Sequence, residues 1–224
     1  GQYYYTQADK IVQYANENGI KLNGHTLIWH SQLPDFVHQI NSVDSFKMFF
    51  EDHIRTLAAR YDGKIYSWDV VNEALNDDGS LRKSIFLDKL GENYIVEAFR
   101  LAQQYAPDTK LYYNDYNIEQ PKKRAGAIRI IRQIQASGVR IDGVGIQGHW
   151  NVRSVPFGDI EKSIQEFAAL GIEVMFTELD LGVLPNPWDS DGAEISKTGT
   201  YSKEMDPFKK GLPDSVARFQ AQQY

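Results

Sequence analysis

Hydrophobic and polar positions along the chain alternate between two periods. From Thr6 to Asn18 the apolar residues Ala8, Ile11, Val12 and Ala15 recur on one helical face. Thr6 and Asp9 open that stretch with capping-box spacing, and Gly19 stands where a helix would stop. Lys21 to Trp29 reads as a strand. Ser42 to Arg60 is helical, with Phe46, Phe49, Phe50, Ile54 and Leu57 facing a core. Ile65 to Val71 is a run of β-branched and aromatic residues, the pattern of a strand buried on both faces. Helices are predicted again at Tyr94–Tyr105, Lys122–Ala136, Ile160–Leu170 and Ser215–Tyr224. Strands are predicted at Leu111–Asn114, Ile141–Gln147 and Glu173–Thr177. Residues 185 to 213, rich in proline and glycine, read as a long loop.

Strict alternation of strand and helix implies a parallel sheet with helical crossovers. Strands begin near residues 21, 65, 110, 141 and 173, about one βα unit per 38 residues. A doubly wound sheet and a (β/α)₈ barrel both fit that spacing. The polar residues separate them. Each strand ends in polar or ionisable residues: His25, Trp29 and His30; Asp69, Asn72 and Glu73; Asn114, Asp115 and Tyr116; Gln147, His149 and Trp150; Thr177, Glu178 and Asp180. Strand ends converge on one face of a barrel, whereas a doubly wound sheet concentrates its chemistry at one switch point beside a glycine-rich phosphate loop. No GxGxxG or GxxxxGK[ST] is present, so a barrel is expected.

Composition narrows the function classes. The 224 residues are 42% apolar and 24% charged, with a net charge of −6. Nucleic acid and anionic membrane demand concentrated positive charge and are not expected partners. No apolar run reaches 18 residues, so no spanning helix is expected. Cysteine is absent, which removes thiolate nucleophiles, disulfides and cysteine metal sites. The opening residues lack the pattern of a signal peptide.

Two glutamates stand out, each closing an apolar strand: Glu73 in WDVVNEA and Glu178 in VMFTELD. One carboxylate at such a place is as readily a helix cap or an ion-pair partner. Two on different strands suit cleavage of a glycosidic bond, which uses one protonated and one ionised carboxyl across a cleft. Aromatic side chains near the strand ends fit sugar rings; Trp29 and Trp150 are expected to touch substrate, Trp68 and Tyr112 to be core. His25 and His149 invite a metal, but no His-x-His or His-Glu-x-x-His spacing occurs, and hydrogen bonding is the expected role. His38 and His53 read as surface or packing residues.

The segments GHTLIWHSQLPDF (24–36), RYDGKIYSWDVVNEALNDDGSLRKS (60–84), LYYNDYNIE (111–119), IDGVGIQGHW (141–150) and VMFTELDLGV (174–183) resemble glycoside hydrolase family 10, the endo-β-1,4-xylanases. The resemblance runs from about residue 5 to 183 and implies a TIM (β/α)₈ barrel that hydrolyses xylan with retention. It implies Glu73 as acid/base and Glu178 as nucleophile. It further implies that Asn72 holds a sugar 2-hydroxyl, that His25, Trp29 and Gln147 contact the sugar, and that Asp180 orients His149 beside the nucleophile. Asn114 and Tyr116 would line the cleft. Those roles require the two carboxyl pKa values to be pushed apart, with that of the acid raised. The five units match the family's third to seventh, so residues 1–224 are expected to be one partial catalytic domain without the first two and the last strands. At that spacing eight units need roughly 300 residues. The implied partners are xylan or xylo-oligosaccharides and further segments or binding modules of the same polypeptide; a non-catalytic xylan-binding remnant is the alternative. No cofactor and no metal is implied. A polymeric substrate implies a secreted, periplasmic or cell-surface protein.

Overall fold

The run that reads as doubly buried, 65–71, supplies the central strand of a parallel sheet. In the computed structural model, which describes residues 3–184 and 205–224, the elements are α1 (Thr6–Glu17), β1 (Asn23–Gly24), β2 (Ile28–Trp29), α2 (Asp35–His38), α3 (Val43–Tyr61), β3 (Ser67–Asn72), α4 (Ile85–Leu90) and α5 (Tyr94–Tyr105). They continue with β4 (Lys110–Asp115), α6 (Pro121–Ala136), β5 (Gly143–Ile146), β6 (His149–Asn151), α7 (Phe157–Ala168), β7 (Glu173–Phe176), β8 (Asp180–Gly182) and α8 (Asp214–Gln223). The main sheet runs β1-β3-β4-β5-β7, every neighbour parallel, and β2 pairs with β3 farther along. With its alternating helices it is a parallel half-barrel, the architecture of part of a (β/α)₈ barrel.

Helix periodicity decides which side chains meet the sheet. In α3, Phe46, Phe50 and Ile54 recur at four-residue spacing and are fully buried, and the Ser42 hydroxyl caps the first turn by accepting from the Ser45 amide at 3.3 Å. In α5, Ile95, Ala98, Phe99 and Ala102 do the same. These stripes pack with Val70, Leu111, Tyr113 and Ile131 into one core. Two sequence expectations are corrected here. The strand expected over 21–29 is two short pieces, because His25 and Thr26 turn aside to bond Asp69 of β3. Thr6 caps nothing: Asp9 accepts instead from Arg60 and Tyr61 of α3. Residues 185–204 of the expected long loop lie outside the described residues; 205–213 contain turns.

Among the described residues no strand lies beyond β1 or beyond β7. The burial follows. All four residues of β5 are buried, while none of β7 is, and Phe176 and Leu179 are about two-fifths exposed. On the opposite side Ile11, Tyr14 and Ile20 are similarly open. Sheet edges of this kind expose both unpaired backbone groups and apolar side chains. No helix among the described residues is long and apolar enough to cross a membrane.

Candidate active site

Register across the C-terminal edge of the sheet builds the site. A shift between Asp69 and Val71 brings Asn72 opposite Asn114, and Asn114 faces Gly145 of the next strand. Gly145 has to be a glycine: a Cβ there would stand 2.3 Å from Asn114 Oδ1 and 2.7 Å from Thr177 Cγ2. The space it leaves is filled by the Asn114 amide, which bonds Glu178 and Asn72.

Glu73 follows β3 with φ +57°, a left-handed conformation in which an L-residue pays roughly 1–2 kcal/mol. Its amide donates to Asn114 O at 2.9 Å. Its carboxylate accepts from Trp29 Nε1 at 2.9 Å and from Gln147 Nε2 at 3.0 Å, two neutral donors. Glu178 follows β7 and is held differently. Asn114 Nδ2 donates to its Oε1 at 2.9 Å, and His149 Nε2 lies 3.1 Å from its Oε2. His149 Nδ1 is 3.0 Å from Asp180 Oδ2, a contact set by the parallel pairing of β6 with β8 in which His149 opposes Asp180. Only an imidazolium donates from both ring nitrogens, so the two carboxylates favour the charged histidine.

The two glutamates are linked. Asn72 Oδ1 accepts from Gln147 Nε2 at 3.2 Å and from Asn114 Nδ2 at 3.0 Å, and each of those amides also donates to one glutamate. Turning the Asn72 amide over would place its oxygen 3.2 Å from the Trp29 indole, but it would press an NH₂ against two other NH₂ groups already oriented by carboxylates. The first orientation is therefore assigned, with the Asn72 amide nitrogen on the Trp29 side. His25 completes the wall, its Nδ1 3.0 Å from the buried Asp69 Oδ2 and 3.9 Å from Glu178 Oε1.

Protonation follows from these contacts. Burial pushes Glu178 upward, but the hydrogen bonds from His149 and Asn114 and the charges of His25 and His149 outweigh it, and the carboxyl sits below its ordinary range. His149 is raised, first by its bond to Glu178, against burial, and further by Asp180. The bond to Asp69 raises His25 in the same way. Removing His149 deletes the largest downward influence on Glu178 and leaves its burial. A ¹³C carboxyl titration is therefore expected to place Glu178 higher in His149→Ala than in the wild type, and an unchanged value would assign the lowering elsewhere.

One trio among the described residues has ion-binding donors close together: His25, Asp69 and Glu178, within 4.8 Å of one another. The atoms through which the three approach one another are already engaged, whereas Asp69 Oδ1 is buried with no hydrogen-bond partner. Asp69 Oδ2 takes Asn23 and His25, and Glu178 Oε1 takes Asn114, so the cluster reads as a hydrogen-bonded wall rather than a metal centre.

The structure gathers His25, Trp29, Asn72, Glu73, Asn114, Gln147, His149, Glu178 and Asp180 at this edge. Asn114 and Tyr116 are buried, at 0% and 4% exposure, as Asn72 and Gln147 are at 2%; Asn114 meets the site through its amide on Glu178, and Tyr116 accepts from Arg82. Trp29 and Trp150 are partly exposed, with their indole N–H groups tied to Glu73 and Glu119. Trp68 and Tyr112 are core. His38 is exposed and His53 packs, its Nε2 3.0 Å from Leu27 O. Asp69, Thr177 and Arg82 were given no role by sequence. Asp69 carried a signal, as a charge in the middle of a strand expected to be buried. Thr177 stood only as one of the polar strand ends, and Arg82 carried no signal, because the carbonyls and the Tyr116 hydroxyl it bonds are brought close only by folding.

The chain is similar to known proteins over most of its length. Residues 1–210 match the family model for glycosyl hydrolase family 10. The chain is 39% identical to endo-1,4-beta-xylanase A of Xylanibacter ruminicola over 229 residues, 99% of this chain and 62% of that protein. It is 43% identical to a beta-1,4-xylanase of Dictyoglomus thermophilum over 212 residues, 94% and 60% respectively. A GH10 endoxylanase from a sugarcane soil metagenome superposes with a TM-score of 0.94 at 39% identity, over all of this chain and 66% of that one. Xylanase 10B of Thermotoga maritima gives 0.79 at 35% identity, over 84% and 59%. The chain spans about three-fifths of the length of the curated relatives it matches.

Proposed function

Because the chain belongs to glycosyl hydrolase family 10, we propose that it carries the catalytic centre of an endo-1,4-β-xylanase, which cleaves internal bonds of xylan with retention of configuration. The observation that carries this reading is the unlike holding of two carboxylates joined through the amides of Gln147, Asn72 and Asn114. Glu178, beside one cationic and one amide donor, is kept ionised and is the nucleophile. Glu73, held by neutral donors, is the acid/base.

The chemistry runs in two displacements. Glu178 attacks the anomeric carbon, the bond to the leaving xylose oxygen breaks, and Glu73 gives that oxygen its proton. Water then attacks the glycosyl-enzyme ester while Glu73 takes a proton from it, and Glu178 departs as carboxylate. His149 and Asn114 supply hydrogen bonds to the leaving carboxylate, while Asn72 offers its amide nitrogen to the sugar. No step calls for a cofactor. A substrate that is a polymer places the reaction outside the cell, and secretion, a periplasmic location or attachment at the cell surface follows from that.

The test is release of reducing ends from xylan, with the anomeric configuration of the first product followed by proton NMR. A β-configured product is expected. An α-configured product would overturn retention, and background-level release from a folded sample would favour a xylan-binding remnant that depends on further segments of its polypeptide.

A further inference from the structure

Behind Glu73 lies a device that the two-carboxylate reading leaves unused. After β3 the chain makes a turn in which the Asn76 amide donates to Ser80 O at 2.9 Å and Leu75 bridges Leu81, and it returns Arg82 to the segment it has just left. Arg82 then takes three consecutive carbonyls. Its Nε donates to Glu73 O at 3.1 Å, its backbone amide to Ala74 O at 2.7 Å and its Nη2 to Leu75 O at 3.2 Å. The same Nη2 donates to the Tyr116 hydroxyl at 2.6 Å. Tyr116 is buried, and its ring carries the Lys123 ammonium 3.4 Å from the centroid. Lys123 is itself fully buried against Asp115. The carbonyls of Glu73 and Leu75 are thus tied, through one guanidinium, to an anchor inside the core, and the Arg82 backbone amide holds the one between them.

We propose that Arg82 is the positioning residue of Glu73. A backbone in the left-handed region persists only where its surroundings over-determine it. The Glu73 amide is fixed by Asn114, and its carbonyl and the two that follow are fixed by Arg82. Between them these bonds set the direction of the Glu73 side chain toward Trp29 and Gln147, and hence toward the leaving oxygen. Arg82 bonds neither the Glu73 nor the Glu178 carboxylate and acts on Glu73 through its backbone carbonyl. Lysine, with one ammonium on a flexible stem, has no planar fork with which to span the same acceptors.

The proposal rests on Glu73 being the acid/base, and the leaving group separates the two claims. The sugar leaving group of a xylo-oligosaccharide would depart as an alkoxide and needs the proton of Glu73; the 2,4-dinitrophenolate of an aryl β-xylobioside departs as a stable anion and does not. In Arg82→Lys, kcat/KM for the oligosaccharide is expected to fall about 10- to 100-fold, the scale of a catalytic group displaced by about 1 Å, with the aryl substrate changed less than about threefold. Tyr116→Phe keeps the ring and removes one Arg82 contact, so a smaller loss with the same substrate selectivity is expected there, and it supplies the reading where Arg82→Lys fails to fold. Equal losses on both substrates, or none on either, in folded variants would overturn the proposal and leave the role of Glu73 standing. A wild type whose oligosaccharide and aryl rates are equally insensitive to Glu73→Ala would overturn the reading beneath it.

Discussion

Replacing Glu178 by glutamine is expected to lower turnover of xylo-oligosaccharides by roughly five orders of magnitude, the scale reached when a covalent nucleophile is removed. Glutamine keeps the shape and one acceptor oxygen, so Asn114 retains a partner and the fold is expected to hold. What disappears is the negative charge that meets the anomeric carbon and can form the ester. A second measurement accompanies the loss. The bond to Glu178 is the largest influence raising His149, and once it is neutralised burial opposes only Asp180. Imidazole titration by NMR should therefore place His149 lower in Glu178→Gln than in the wild type. Residual turnover above about 1% would mean that the attacking group lies elsewhere.

The largest stability effect is expected at Lys123→Met. Lys123 and Asp115 are both fully buried, with the ammonium 2.9 Å from Asp115 Oδ1, and the Tyr113 hydroxyl donates to Asp115 Oδ2 at 2.6 Å. Removing one member of a buried pair leaves the other charge uncompensated, at a cost of about 3–5 kcal/mol. In a chain of this size that corresponds to a fall of about 10 °C or more in the melting temperature. Burial pushes Asp115 up to about 6 even with Lys123 present. The sign for pH follows from this. The raised carboxyl favours folding most below its ordinary value of 3.8 and progressively less as pH rises toward 6. Without Lys123 the carboxyl rises further, so the deficit of the variant is expected to be greatest above pH 6 and to shrink as pH falls and Asp115 protonates in both proteins. Thermal melts of Lys123→Met and of Lys123→Met/Asp115→Asn across that range test it; a double variant no more stable than the single one would show that the isolated charge is not the cause.

Legibility in the sequence followed the range of the interactions. The helices Tyr94–Tyr105 and Val43–Tyr61 were plain from period, since an amphipathic stripe is local information. The all-parallel order of the sheet followed from strict alternation. The short α4 and the pair β6 and β8 were not visible: two of them are three-residue pieces whose hydrogen bonds come from a partner thirty residues away. Lys122, Lys123 and Arg124 are three cations in a row along the chain, yet Lys123 and Arg124 are buried, because Asp115 and Tyr116 take the first and Glu119, Ser163 and Glu166 the second.

By itself the sequence determined the class of architecture and the family and singled out two glutamates, because periodicity, strand-end chemistry and ordered motifs are properties of position along the chain. Only the tertiary structure decided how the site is held. The difference in environment between Glu73 and Glu178, the burial of Asn114 and Tyr116, and the return of Arg82 onto three carbonyls arise from a strand register and a turn. Hydrogen-bond geometry to within a few tenths of an ångström is a property of packing, and no residue carries it alone.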